Sequence, residues 1–271
     1  MQRKLKPLTV QSYLSSLASI HKLRDLDFSV FDDYIVKRAL RGAENLNFYS
    51  SMIGGARKVM TLPLLKILGH RISISDWNDW DKQVFWTAAT VAFFGSFRFG
   101  EILAISQSSF HEAETLLWKD ISIKDDTAVI HIKMPKSRKL EGEFVDLFQL
   151  RGQGYCPVSA LKRLKKMALL SKNDKPVFTL NSGKFLNSTL LNSTLYSLLQ
   201  PVIRESAAMI TGHSFRAALP SALANRPDLA SDEDIKLWGR WSSPCYKRYT
   251  RLKPMQKRII FEKIVTSLKF L

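Results

Sequence analysis

The run from Phe85 to Phe97 constrains the fold more than any other part of this chain. It is apolar except for Thr87, Thr90, Gly95 and Ser96. Taken from its polar start, Asp79–Phe94 is apolar nearly all round, the pattern of a helix covered on every side. It is too short to cross a bilayer, which takes about 20 such residues. Other segments must therefore wrap around it in a soluble core. Gly95-Ser96 ends the helix, and Arg98 follows directly.

The material for such a core is present. Of 271 residues, 45% are hydrophobic and 24% charged, which suits one large domain or two modest ones and excludes whole-chain disorder. Val10, Tyr13, Leu14, Leu17, Ile20 and Leu23 recur at helical steps, with Thr9 placed as an N-cap. A second helix is predicted over Asp32–Ala43, with Tyr34, Ile35, Ala39 and Leu40 on one side. Gly54-Gly55 then marks a flexible joint. These signals divide the chain into a small, basic, helical module over 1–57 and a larger domain over 58–271. In the larger part, Thr61–Leu68 reads as a capped helix with Pro63 in its first turn.

A single β region follows. Strands are predicted over Thr115–Ile123, Thr127–Met134 and Phe144–Phe148. In the second, Ala128, Ile130, Ile132 and Met134 share one face, and Val129, His131 and Lys133 the other. Pro135–Lys139 is a basic loop between the last two strands. Helices return over Val158–Leu170, Asn187–Glu205, Ser214–Asn225, Asp232–Trp238, Pro244–Arg251 and Met255–Leu268. The predicted fold class is mainly α with a small antiparallel three-stranded sheet.

Lys and Arg number 41 against 24 Asp and Glu, a formal charge of +17 and a pI near 9.9. The natural partners of such a chain are polyanions, nucleic acid before anionic membrane. The charge is spread along the chain and not gathered on one amphipathic helix, so no membrane partner is expected. Two cysteines, Cys156 and Cys245, build neither a disulfide framework nor a four-ligand zinc site, and imply a reducing compartment. Thr9–Ile20 is too rich in Ser and Gln for a signal-peptide core; a Ser-rich, acid-poor transit peptide is its nearest competitor. A phosphate-binding Gly-Lys-Ser/Thr loop, His-Glu-x-x-His, Gly-x-Ser-x-Gly and Cys-x-x-Cys are all missing. Five scattered His make no metal motif.

What remains is a set of basic residues and tyrosines. His213 and Arg216 share a helix face; a surface pair is the plain explanation, and a phosphodiester site the sharper one. Arg98 lies between Phe97 and Phe99 with Glu101 three residues on. The pair is either a structural ion pair or a cation facing a cleft with its supporting acid. Trp238, Trp241, Tyr246 and Tyr249 are interleaved with Arg240, Lys247, Arg248 and Arg251. That run suits a nucleic-acid surface, or a phenol able to attack phosphorus if cations favour its ionised form.

In order, Arg98, Lys136, His213-x-x-Arg216, Trp241 and Tyr249 resemble the catalytic set of the tyrosine recombinases, the phage-type integrases. Phe97-Arg98-Phe99-Gly100-Glu101 is similar to that family's first arginine box, and Thr211-Gly212-His213-Ser214-Phe215-Arg216 to its second. The hairpin loop is where the family keeps its lysine. Gly239-Arg240-Trp241 occupies the place of its Gly-His or Gly-Trp pair, and Arg248-Tyr249-Thr250-Arg251 resembles the segment around its nucleophile. Gly-Arg-Trp-Ser-Ser is most similar to recombinases of eukaryotic mobile elements, the DIRS-type elements and cryptons. The resemblance covers nearly the whole chain, with Thr9–Leu23 similar to the core-binding module ahead of the catalytic domain.

The resemblance implies metal- and ATP-independent cleavage and rejoining of duplex DNA through a 3′-phosphotyrosyl link, with no cofactor. Tyr249 would be the nucleophile, Arg98 and Arg216 the phosphate ligands, and Lys136 the acid for the leaving 5′-oxygen. His213 would assist proton transfer, Trp241 brace the phosphate, and Glu101 orient the cations. Lys133 and Lys139 compete with Lys136, Lys133 being the more easily explained as a solvated strand residue; Tyr246 competes with Tyr249. The expected assembly is a homo-tetramer on paired DNA sites. The expected location is intracellular, nuclear in a eukaryote and otherwise cytoplasmic. A type IB topoisomerase and a domesticated, inactive DNA-binding relative share most of these features. The family's first module commonly has more helices, so a truncated, minimal or polyprotein-derived chain also fits.

Overall fold

The computed structural model describes residues 5, 7–53, 58–135, 141–168, 174–225 and 230–241, with backbone alone at 8, 46–53 and 205. The Gly54-Gly55 joint, the lysines at 136 and 139, Cys245, and the helices expected over 244–251 and 255–268 lie outside these residues. The chain divides into two compact units, Met1–Ala56 and Arg57–Leu271.

The first unit holds helix α1 (Pro7–Leu23), a 3-10 turn (Ser29–Asp32) and helix α2 (Tyr34–Ile53). Pro7 opens α1, where a missing N–H costs nothing. Thr9 therefore lies inside the helix and is not its cap. The helical period of α1 is as read, yet Tyr13, Leu17, Ile20 and Leu23 of its apolar stripe are exposed. In α2, Tyr34 and Ile35 are exposed too, and Val36, Leu40 and Ala43 are the half-buried stripe. A 3-10 turn precedes α2, which starts at Tyr34 and not at Asp32. Two helices form a single layer, and among the described residues of this unit none is fully buried.

The second unit carries the hydrophobic core. Helix α3 (Leu62–Ser73) begins as expected: Thr61 Oγ1 accepts from the Leu64 amide at 3.4 Å, and Pro63 follows the cap. Helix α4 (Asp79–Phe94) spans the predicted residues, with Val84, Ala88, Val91 and Ala92 wholly buried. Its two polar interruptions are satisfied internally. Thr87 Oγ1 donates to Gln83 O at 2.7 Å and Thr90 Oγ1 to Trp86 O at 3.0 Å, so neither opposes burial. Around it lie α5 (Phe99–Ile102), α6 (Pro157–Met167), α7 (Ser188–Ile203), α8 (Gly212–Arg216), α9 (Ala218–Ala224) and α10 (Asp232–Gly239). A 3-10 turn, Arg204–Met209, joins α7 to the α8 region. The helix expected over 214–225 is thus two short helices meeting at Ala217.

The sheet is antiparallel in the order β1 (Ile121–Ile123), β2 (Thr127–Ile132), β3 (Glu143–Phe148). Ile121 pairs with Ile130, and Ile132 with Glu143. Ala128, Ile130 and Ile132 are buried as the alternation requires. Pairing stops at Ile132, so Met134, expected on that face, is exposed. The first strand is shorter than predicted, because Trp118–Asp120 forms a 3-10 turn. Gly142, with φ of 74°, leads into β3; a Cβ there would lie 2.5 Å from His131 Nε2 and 2.6 Å from Ile132 O. No helix among the described residues is long and apolar enough to cross a membrane.

Candidate active site

Three distant chain turns meet at the carboxylate of Glu101. The first is the end of α4. The Phe97 amide bonds to Ala92 O at 3.0 Å, and Ser96 takes φ of 48°. This is a left-handed helix stop of the kind glycine usually fills. The turn aims one carbonyl at two guanidinia: Ser96 O accepts from Arg216 Nη1 at 2.7 Å and Arg240 Nη2 at 3.1 Å. Ser96 Oγ is buried with no hydrogen-bond partner among the described residues. Ser96→Gly is therefore expected to raise unfolding stability by about 1 kcal/mol, seen as a higher Tm, with the carbonyl kept in place.

Arg98 immediately precedes α5. Glu101 Oε2 accepts from the Arg98 amide at 2.9 Å, and Oε1 faces Arg98 Nη1 at 2.5 Å. One acid thus both starts this four-residue helix and holds its arginine. The Arg98 side chain keeps 34% of its surface exposed, against 3% for Arg216 and 8% for Arg240. Arg98 is the most exposed cation of the three.

The second turn is α8. The Thr211 amide donates to Ser214 Oγ at 3.0 Å, and the Gly212 amide to Asn192 Oδ1 at 3.1 Å. Phe99 and Phe215 pack with ring centroids 5.2 Å apart. A Cβ on Gly212 would sit 2.6 Å from Phe99, so only glycine lets the two boxes approach this closely. Arg216 is buried, donates through Nη2 to Gly239 O at 2.7 Å, and comes within 3.9 Å of Glu101 Oε2. Its Nε is buried without a hydrogen-bond partner among the described residues. His213 is half-buried on the same short helix, one turn earlier.

The third turn ends α10. Arg240 adopts φ 53° and ψ 50°, and its fork reaches Glu101 Oε2 at 2.9 Å and Glu143 Oε2 at 3.1 Å. Its guanidinium carbon lies 4.9 Å from the centre of the Phe97 ring. Trp241 follows, and the Arg216 guanidinium carbon is 5.5 Å from its ring.

The electrostatics follow from this crowding. Burial pushes the Glu101 carboxyl up, but the charges of Arg240 and Arg216 and the Arg98 amide outweigh it and hold it below its ordinary range. Burial, with Arg240 and Arg98 as repelling neighbours, lowers Arg216 to about 10 despite the pull of Glu101. Arg216 still carries its charge at neutral pH. The arrangement is a concentrated, pre-oriented cation, suited to stabilising charge that develops on a phosphorus oxygen. Among the described residues no group of three His, Cys, Asp or Glu is placed to hold a metal. An open pocket of about 490 Å³, lined by Lys66, Trp86 and Tyr155 among others, contains none of these residues.

No protein-family model and no curated protein matches the sequence. Solved structures do match. The XerH site-specific recombinase in its pre-cleavage complex with difH aligns over 95% of this chain and 70% of its own, at 14% identity and a TM-score of 0.52. The Tn1549 transposon integrase bound to circular intermediate DNA aligns over 94% and 86%, at 14% identity and 0.52. The fold is that of the tyrosine recombinases. The post-cleavage XerH complex scores 0.53 at 16% identity over 74% of this chain, which spans about half (51%) of that one.

Within this recombinase fold, Arg98, Glu101, Arg216 and Trp241 come together, and His213 shares α8 with Arg216. Lys136, Tyr246 and Tyr249 lie outside the described residues. Lys133, read as a solvated strand residue, is paired and only partly exposed. Its Nζ donates to Asp120 Oδ2 at 2.6 Å and Thr115 O at 3.0 Å, because the chain leaves the strand at Ile132 and folds over the buried acid. The sequence places Ser96 at a helix stop and Arg240 in a basic, aromatic run, but assigns neither of them, nor Glu143, to this cluster. The one available signal was a basic residue set between Trp238-Gly239 and Trp241, where an apolar side chain would pack more easily.

Proposed function

We propose that the protein cuts and rejoins duplex DNA by transesterification. Tyr249 Oη attacks a backbone phosphorus and breaks the bond to the 5′-oxygen, leaving a 3′-phosphotyrosyl ester and a free 5′-hydroxyl. The ester keeps the bond energy, so rejoining is the reverse attack by a 5′-hydroxyl. Arg98 and Arg216 neutralise the non-bridging oxygens. Lys136 protonates the leaving oxygen, a role for which Lys133, held by Asp120, is poorly placed. His213 moves the tyrosine proton, and Trp241 braces the phosphate.

The observation that carries this reading is the single carboxylate of Glu101 lying within 4 Å of Arg98, Arg216 and Arg240. These residues are remote in sequence, and a chain that only gripped DNA would have no need to concentrate them. The recombinase fold and the +17 charge support duplex DNA as substrate. XerH and the Tn1549 integrase were solved on DNA, which supports a DNA partner here as well; the assembly is proposed to be a homo-tetramer on paired sites. The Gly-Arg-Trp-Ser-Ser wording supports an origin in a mobile element.

The test uses a pool of nicked duplexes of randomised sequence, which trap a covalent complex when the short cleaved strand diffuses away. Wild type is expected to give a denaturant-resistant protein–DNA adduct, and sequencing the trapped DNA names the site. Tyr249→Phe is expected to give none, and Tyr246→Phe to behave as wild type. An adduct that survives in Tyr249→Phe and disappears in Tyr246→Phe contradicts the assignment. Binding with no adduct at all contradicts the catalytic reading.

A further inference from the structure

We propose that Arg240 is a positioning residue that sets the charge balance of the phosphate site. The inference rests on the DNA-cleavage reading above. Arg240 stands in a left-handed turn, φ 53° and ψ 50°, where glycine or asparagine is the less strained choice. An arginine held there is held for its side chain. That side chain is buried and ties three elements together: the stop of α4 through Ser96 O, α5 through Glu101, and the start of β3 through Glu143. Glu143 is the first residue of β3, so the same ion pair anchors the start of that strand.

The charges count simply. Among the described residues, Arg98, Arg216 and Arg240 face Glu101 and Glu143, three positive against two negative. This set carries a surplus of one positive charge. Without Arg240 that surplus is gone, and an entering phosphodiester meets one positive charge fewer. Glu101 then pulls on Arg98 and Arg216 alone. Arg240 thus acts on the reaction through its neighbours and without touching the substrate.

The experiment uses the full chain and the cleavage site recovered from the nicked-duplex pool. Two substrates are compared in single turnover, the native phosphodiester and a neutral methylphosphonate at the same position. Arg240→Gln is expected to cut the native substrate roughly 100-fold more slowly than wild type, with intact-duplex binding nearly unchanged. On the methylphosphonate its deficit is expected to shrink to a few-fold, since there is no charge left to balance. Arg240→Lys keeps the charge but not the fork, and is expected within about 10-fold of wild type on the native substrate. A purely structural role gives equal deficits on both substrates and overturns the proposal, as does a folded Arg240→Gln with wild-type rate. Should Arg240→Gln fail to fold, Arg240→Lys decides: near-native cleavage supports the proposal, and an equal loss of about 100-fold on both substrates overturns it. A wild type that forms no adduct brings down the cleavage reading and this inference with it. An active wild type indifferent to residue 240 brings down this inference alone.

Discussion

Arg98→Ala is expected to slow covalent-complex formation by about 1,000-fold while the chain stays folded and duplex DNA stays bound. The three outcomes separate because Arg98 differs from the other two guanidinia. It is the exposed member of the cluster, and its ion pair with Glu101 is partly solvated, so losing it costs about 1 kcal/mol of stability at most. Glu101 still has Arg240 and Arg216 beside it. Most DNA affinity is expected to come from the many other cations of a +17 chain. Single-turnover adduct formation, a duplex titration and a Tm check the three parts separately. A variant that cleaves at the wild-type rate would remove Arg98 from the mechanism and leave its ion pair as structure alone.

Glu101→Ala is expected to act on stability first, lowering it by about 3–5 kcal/mol. Its carboxylate is the shared counter-ion of Arg98, Arg216 and Arg240, and two of those are buried. Removing it leaves buried guanidinia repelling one another and strips the Arg98 amide, just ahead of α5, of its acceptor. The pH dependence has a definite sign. The folded carboxyl lies below its ordinary value near 4.5, so its contribution is complete above that value and is lost as pH falls through the lower, folded one. Denaturant titrations of wild type from about pH 7 to about pH 3 should show this loss, and Glu101→Ala should lack that part of it. A variant as stable as wild type at neutral pH would mean the cluster does not depend on Glu101.

Much of this was legible because the relevant signals are local. Asp79–Phe94 declares itself as a central helix, since nothing else explains so few polar positions. The β2 alternation gives the buried face of the sheet through Ala128, Ile130 and Ile132. Arg98 and Glu101 are three apart, so their pairing is a short-range event. The failures have physical causes as well. The exposure of Tyr13 and Leu17 depends on how much partner surface two helices offer, which periodicity does not contain. Lys133 seemed to belong to the strand's outer face, and only the end of pairing at Ile132 frees it to reach Asp120. The parts Arg240 and Ser96 play in the cluster are not legible, because they lie in left-handed backbone turns and in bonds to residues about 100 or more positions away.

The most direct measurement is to find the atom that joins protein to DNA. Adduct trapped on the nicked duplex is digested with trypsin and nuclease, and the peptide that retains a nucleotide is sequenced by mass spectrometry. The account predicts one modified peptide, with the nucleotide on Tyr249 and linked through its 3′-phosphate. A nucleotide on any other residue, or a 5′-phosphate link, would contradict it.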